Sequence, residues 1–240
     1  TRPEVCSDKK NLEWGKLRNS LVDFQCSMGI NRADFNIAPN VHATPLFYCL
    51  NDEVWSPDLE IPSAYERPSS SSKIIRLYHS VGNMEKRTST GNVNIKSTHI
   101  YLPLVHKLQA QGMNIDLINP SGIPNLEVRF LQAQADIVLE MLEYGWFGAN
   151  AREAMMLGKP VICYLRQEWL DTLRQEIPDY VDELPIVRAT PETIESVLLD
   201  LISNEKKRIE IGRRGRKFCI KYHSDANAAR HFDAVYQSLL

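Results

Sequence analysis

From residue 73 onward two hydrophobic rhythms alternate along the chain. Short runs dense in aliphatic and β-branched residues stand at 73–79 (KIIRLYH), 114–118, 136–139 and 160–165, and each predicts a strand. Between them the apolar positions repeat at helical spacing. Ile100, Leu104 and Leu108 share one stripe of a helix expected over 96–111, closed by Gly112. Asn125 is placed to cap a helix running to about 134. A further helix is expected from about Ala151, another over 169–176, and a short strand at 184–187. Thr190 as N-cap and Pro191 at the first helical position start a helix that ends near Ser203. Helices over about 205–222 and 225–240 close the chain. Strands alternating with helices of this length predict an α/β, Rossmann-like parallel sheet flanked by helices on both faces.

The first 66 residues are less regular. Residues 11–28 could form one helix, 33–38 read as a strand, and 43–50 as a short helix or strand. Residues 67–72, RPSSSS, have no apolar content and read as a linker. The expected organisation is therefore an incomplete N-terminal segment over 1–66, a linker over 67–72 and the α/β domain over 73–240.

Composition narrows the class. The chain has 240 residues, 43% hydrophobic and 24% charged, the make-up of an ordinary soluble domain. A net charge of -2 gives no general drive toward nucleic acid. Cys6, Cys26, Cys49, Cys163 and Cys219 are scattered, odd in number and form no CxxC pair. That pattern favours free thiols in a reducing, cytoplasmic setting over a disulfide framework or a zinc site. No apolar run approaches the roughly 18–20 residues that cross a bilayer, and no signal-peptide core is visible. The first residue is Thr1 rather than methionine, so a fragment or processed product is expected.

Residues 135–165, ADIVLEMLEYGWFGANAREAMMLGKPVICYL, carry the richest chemistry. They read as strand, glycine-broken loop, helix, Gly-Lys-Pro turn and strand. In parallel α/β sheets ligands sit outside the carboxyl ends of strands. Gly145 and Gly148 let backbone approach a ligand, and the amides of Ala149 and Asn150 begin a helix whose N-terminus favours anions. The same loop could be a plain strand-to-helix turn. Glu153 follows just inside that helix, where it either complements the helix dipole or accepts hydrogen bonds from sugar hydroxyls.

Lys86, Arg87 and Lys96 flank a polar loop, opened by Ser80, Gly82 and Asn83, after the first strand. They are either solvated cations or neutralise a diphosphate. Lys96 at a helix start opposes the dipole, a hint of function. His79 reads first as a structural histidine. No His, Cys or carboxylate cluster has metal-ligand spacing, and no Walker or GxSxG motif is present. Lys206, Lys207, Arg208, Arg213, Arg214, Arg216 and Lys217 suggest a solvated helix face, or a contact with an acidic membrane or partner.

In combination these residues resemble the donor-binding domain of retaining, GT-B-type glycosyltransferases of family 4. The 135–165 stretch looks like that family's donor signature. Asn94-Ile95-Lys96-Ser97-Thr98 resembles its Lys-Gly-Thr segment, with serine in the glycine's place. The stretch 184–192 and the tail IGRRGRKFCIKYHSDANAARHF are similar to its late strand and closing helices, so the likeness covers 73–240.

The resemblance implies a nucleotide diphosphate sugar as donor and a carbohydrate or lipid-linked acceptor. It implies no metal or other cofactor, and allows peripheral contact with the inner membrane face. Arg87 or Lys86, with Lys96, would meet the diphosphate and Glu153 the donor ribose. Ser80, Gly82, Asn83, Gly145, Phe147, Gly148, Ala149 and Asn150 would line the donor, with Pro124 and Asn125 near the base. Two departures stand out. The family often carries two glutamates separated by seven residues, and counting back from Glu153 reaches Gly145, with Glu143 two residues out of register. The N-terminal acceptor domain is represented only by its end. A binding module without transferase activity, or a doubly wound domain such as a sugar-nucleotide epimerase, are the alternative readings.

Overall fold

The protein is described here by a computed structural model over residues 8–27, 40–43, 49–68, 73–82, 88–89 and 93–240. The expected strand at 33–38, most of the 43–50 element and residues 69–72 of the linker lie outside them.

Helix α1 (Asp8–Leu21) ends earlier than the apolar pattern suggested. Strands β1 (Gln25–Ser27) and β2 (Val41–Ala43) pair in parallel. Both are three residues long, and the polar residues among them leave no alternation to read in the sequence. The main domain then runs β3 (Ile75–His79), α2 (Thr98–Ala110), β4 (Ile115–Ile118), α3 (Asn125–Gln132), β5 (Ile137–Leu139) and α4 (Ala149–Met156). It continues through β6 (Val161–Cys163), α5 (Gln167–Glu176), α6 (Pro178–Glu183), β7 (Val187–Arg188), α7 (Ile194–Ser203), α8 (Glu205–His223) and α9 (Asp225–Leu239).

Five strands form a parallel sheet in the order β4-β3-β5-β6-β7. Successive side chains of a strand point to opposite faces, so each strand feeds two cores. Leu77, Ile137, Leu139 and Ile162 pack with Tyr101, Val105 and Leu108 of α2 and Leu198 and Leu201 of α7. Tyr78, Val138 and Cys163 pack on the other face with Ala154 and Met155 of α4, Leu173 of α5 and Phe218 of α8. Burial of each large side chain is worth roughly 1.5–3 kcal/mol, and this two-sided burial fixes the parallel register.

Three local details differ from the sequence reading. Pro124, not Asn125, occupies the N-cap of α3, because the fixed extended proline backbone ends the preceding loop and frees the Asn125 side chain for other work. Helix α7 begins at Ile194, with Thr193 at its N-cap and Pro191 in a preceding turn. The Thr190 amide donates to Thr193 Oγ1 at 2.8 Å, so Thr190 is the recipient of a local cap rather than its source. Helix α6, begun by Pro178, was not anticipated.

Residues 49–66 pack onto the main domain. Trp55 is buried in the core beside α8, with Leu50, Leu59 and Tyr65 against the same cluster. Arg216 of α8 donates to the carbonyls of Trp55, Met156 and Asp52 at 2.7, 2.6 and 3.1 Å. The basic run of α8 is thus largely put to structural use. Arg208 is buried and donates to the carbonyls of Leu201 and Ile202, Lys207 pairs with Asp200, and Arg213 with Glu210.

Helices α4 and α8 meet through backbone. A Cβ on Gly212 would lie 1.9 Å from the carbonyl oxygen of Gly158, whereas one on Gly215 would meet Met155 at ordinary contact distance, its side chain at 3.4 Å and its Cα at 3.5 Å. Gly212→Ala is expected to force the helices apart and to lower stability by about 2–4 kcal/mol, since backbone cannot yield as a side chain can. Gly215→Ala, gaining about 1 kcal/mol of helix propensity against ordinary contacts, is expected to stay within about 1 kcal/mol of wild type. Equilibrium urea unfolding of the two variants checks this, and equal losses would refute the backbone contact.

Candidate functional site

In a sheet ordered this way the chain reverses direction between β3, whose next strand lies on one side, and β5, which lies on the other. The crevice at the carboxyl ends of these two strands is where such folds hold ligands. Ser80 and exposed Gly82 leave β3 there, and Glu140 leaves β5. Helix α4 begins above them.

A chain of polar side chains crosses this crevice. Lys96 Nζ is hydrogen-bonded and ion-paired to Glu140 Oε1, with side-chain exposures of only 12% and 0%. Asn150 donates to Glu140 Oε2 at 3.0 Å, and Gln132 donates to Asn150 Oδ1 at 2.5 Å. One turn further along α4, buried Glu153 accepts from Asn125 Nδ2 at 3.2 Å. The Asn125 side chain, released from capping, thus ties α3 to the second carboxylate.

Burial raises the Glu153 pKa above its ordinary value. The Asn125 hydrogen bond opposes the rise, and the Glu140 charge adds to it. His79, at the end of β3, is driven down to about 4, chiefly by burial. Its Nε2 lies 2.8 Å from Thr98 Oγ1 and its Nδ1 3.3 Å from the Leu139 carbonyl. It is a neutral pin between β3, β5 and α2, in keeping with the structural reading of the sequence.

Backbone geometry explains two sequence departures. Ser97, standing where the resemblance has glycine, adopts φ 60° and ψ 35° at the N-cap of α2. That left-handed conformation costs a non-glycine residue about 1 kcal/mol or more. Its hydroxyl compensates by accepting from the Leu142 amide at 3.1 Å and reaching Glu143 Oε2 at 3.2 Å, which ties the Lys96 loop to the end of β5. Gly145 has φ 101°, and a Cβ on it would lie 2.9 Å from Arg166 Cβ. A glutamate at this position would be strained and obstructed. Glu143 is exposed and contacts His99 Nε2 at 3.3 Å.

The predicted donor residues divide as follows. Lys96, Asn125, Gly148, Ala149, Asn150 and Glu153 come together in the crevice, with Gly148 as N-cap and Ala149 and Asn150 as the first helical residues of α4. A Cβ on Gly148 would stand 3.3 Å from Lys96 Nζ and 3.5 Å from Glu140 Oε1, so the absent side chain is what lets the ammonium reach the helix start. Phe147 is a core residue, stacked on Trp146 with Arg152 4.8 Å from its ring centroid, and offers a ligand only backbone. Pro124 is exposed at the start of α3. Asn83, Lys86 and Arg87 lie outside the described residues.

Glu140 and Gln132 were missed. Glu140 has a readable signal, being a lone carboxylate inside the apolar run IVLEML at a strand's carboxyl end. Gln132 has none, since its role is set by where α3 crosses α4. Among the described residues no group of three or more His, Cys, Asp or Glu could hold a metal, and no helix is long and apolar enough to cross a membrane.

Two consequences are measurable. Removing one member of a buried ion pair strands the other charge at a cost of about 3–5 kcal/mol. Lys96→Met is expected to lose that much stability, and adding Glu140→Gln to recover most of it; denaturant melts that give additive losses would contradict the pairing. The second concerns Glu153. Because its folded pKa is raised above the unfolded value, the ionised form costs the fold nothing below about pH 4.5. The cost develops as pH rises through the folded pKa. Glu153→Gln is therefore expected to raise Tm at pH 7.5, by about 2–4 °C for each kcal/mol relieved, and to leave it unchanged at pH 4. The same Tm difference at both pH values would be inconsistent with a desolvated carboxylate.

No family model matches the sequence, and none of the curated proteins matches it. Solved structures do resemble it in fold. The Anabaena HepE protein in complex with UDP superposes with TM-score 0.65 at 13% identity, over 98% of this chain and 69% of that one. A glycosyltransferase from Rickettsia africae ESF-5 gives 0.62 at 12%, over 94% of this chain and 66% of that one. Sucrose-phosphate synthase from Thermosynechococcus elongatus gives 0.59 at 12%, over 100% and 63%. The chain thus spans just under two thirds of the length of the last two. At these identities the likeness establishes the fold, that of a GT-B Rossmann-like domain.

Proposed function

We propose that the chain is the donor-binding part of a retaining glycosyltransferase of the family 4 type. It moves a hexosyl group from a nucleotide diphosphate sugar to a polysaccharide or glycolipid acceptor. One observation carries the reading: a cation at a helix start and an amide-held carboxylate one turn away converge on the crevice between β3 and β5. Lys96 and the first amides of α4 would meet the diphosphate, Glu153 and Asn125 the ribose, and the loop at Pro124 the base. Arg87, Ser80, Gly82 and Asn83 complete the proposed donor set.

In the transfer step negative charge develops on the departing diphosphate. A fixed ammonium and fixed amides stabilise it without reorganisation, and without calling for a metal. The solved complexes of HepE with UDP and with UDP-glucose, in a similar fold, support a nucleotide sugar as ligand. The reading places the protein in the cytoplasm, with peripheral contact at the inner membrane face through the exposed cations Lys206, Arg214 and Lys217 of α8.

A second reading, a nucleotide-sugar-binding module without transfer, is favoured by the Lys96–Glu140 pair, which already satisfies the cation the reaction needs. Titration calorimetry with UDP-, GDP- and ADP-glucose separates these readings when paired with an assay for released nucleotide. Binding of one of them, weakened at least tenfold by Lys96→Ala and by Glu153→Ala, is expected, about 1.4 kcal/mol for each tenfold. Binding without turnover in the presence of acceptor glycans would favour the module. No binding of any would end both.

A further inference from the structure

Two carboxylates and one ammonium share the crevice, and the ammonium cannot serve two anions at full strength. Lys96 Nζ rests on Glu140 Oε1, and Glu140 is wholly inaccessible to solvent. Its other oxygen is held by Asn150, itself fixed by Gln132, so the carboxylate cannot turn toward water. Glu153, on the same helix as Asn150, is buried beside it. The titratable groups facing Glu140 among the described residues are Lys96 from the loop before α2, Tyr101 from α2, His79 and Tyr78 from β3, Cys163 from β6 and Glu153 from α4. Burial holds the tyrosines and the thiol protonated and the histidine neutral, so among these groups Lys96 is the cation that faces both buried carboxylates.

From this geometry we infer that a nucleotide diphosphate sugar draws Lys96 away from Glu140, and that the Glu140–Glu153 pair takes up one proton from solvent as it binds. The inference rests on the reading of Lys96 as the diphosphate contact. The balance is simple. The Lys96–Glu140 hydrogen bond is exchanged for one to a phosphate oxygen, and one proton passes from water to a carboxylate oxygen of the pair. Loss of the nucleotide returns the ammonium to Glu140 and releases the proton. Glu140 is thus a placeholder for the diphosphate, and lowers affinity by the free energy needed to displace it.

The test is calorimetric titration of the full chain with UDP-glucose at pH 7, in PIPES, HEPES and Tris, which differ in ionisation enthalpy. Where UDP-glucose does not bind, ADP-glucose and GDP-glucose replace it. Such a sugar diphosphate is esterified at both ends and has no group titrating near pH 7, so a proton taken up belongs to the protein. The wild type is expected to show a slope near one proton taken up per ligand bound. Glu140→Gln is expected to bind roughly tenfold tighter with a slope near zero, because Lys96 no longer leaves a buried carboxylate behind. Glu153→Gln keeps the ion pair but removes a proposed ribose contact, so it is expected to bind more weakly and with a smaller slope, while Glu195→Gln, at an exposed surface ion pair on α7, serves as the folded control and is expected to keep the wild-type slope. Binding with a zero slope in wild type, or equal slopes in wild type and Glu140→Gln, would overturn the coupling while leaving the donor-site reading in place. Absence of binding by every sugar nucleotide would remove the premise itself.

Discussion

The site is organised by one buried ion pair. Glu140 directly follows the central strand β5 with its side chain out of water, and Lys96 reaches it from the loop before α2. Neither group is stable in that position alone, because an isolated charge in the interior costs several kcal/mol. Their neighbours exist to hold the pair. Gly148 leaves room for the ammonium, Asn150 occupies the second carboxylate oxygen, and Ser97 accepts a strained backbone so that Lys96 arrives from the right direction. A pair of this kind seldom adds net stability over a well-packed apolar pair. Its retention is therefore better understood as a reserve of charge at the crevice than as cement for the fold.

The cement lies elsewhere. Two-sided burial of β3, β5 and β6 builds the sheet, and the backbone contact of Gly158 with Gly212 brings α8 close enough for Arg216 to span three carbonyls of the 49–66 segment and the α4 terminus. One cation that looks surplus in the sequence of α8, Arg216, is thus consumed as a hydrogen-bond donor to backbone. Arg208 does the same at the end of α7. A basic run on a helix does not define a basic surface until the acceptors beneath it have been counted.

Much of this was legible in advance. The strands at 75–79, 115–118, 137–139 and 161–163 and the helices around them follow from periodicity alone, because each element buries a face and the burial leaves its period in the sequence. What escaped depended on tertiary placement. Asn125 looks like a cap until Pro124 takes that position, and only then is its amide free for Glu153. Thr190 and Pro191 make a convincing helix start, yet the structure spends them on a turn. Glu140 lies outside the seven-residue spacing, which points from Glu153 to Gly145 instead. The positive φ of that glycine shows why no carboxylate stands there.

The place of the Glu140 carboxylate at a strand end has a chemical consequence. At the end of β5 it is desolvated, fixed at both oxygens and already satisfied by a cation. Its chemistry must then run through Lys96. Whatever anion enters the crevice competes with Glu140 for the same ammonium, and Glu153, whose ionisation is already opposed by burial, experiences the outcome of that competition. Charge in the crevice is therefore a property of the three residues together, and moving one of them resets the other two.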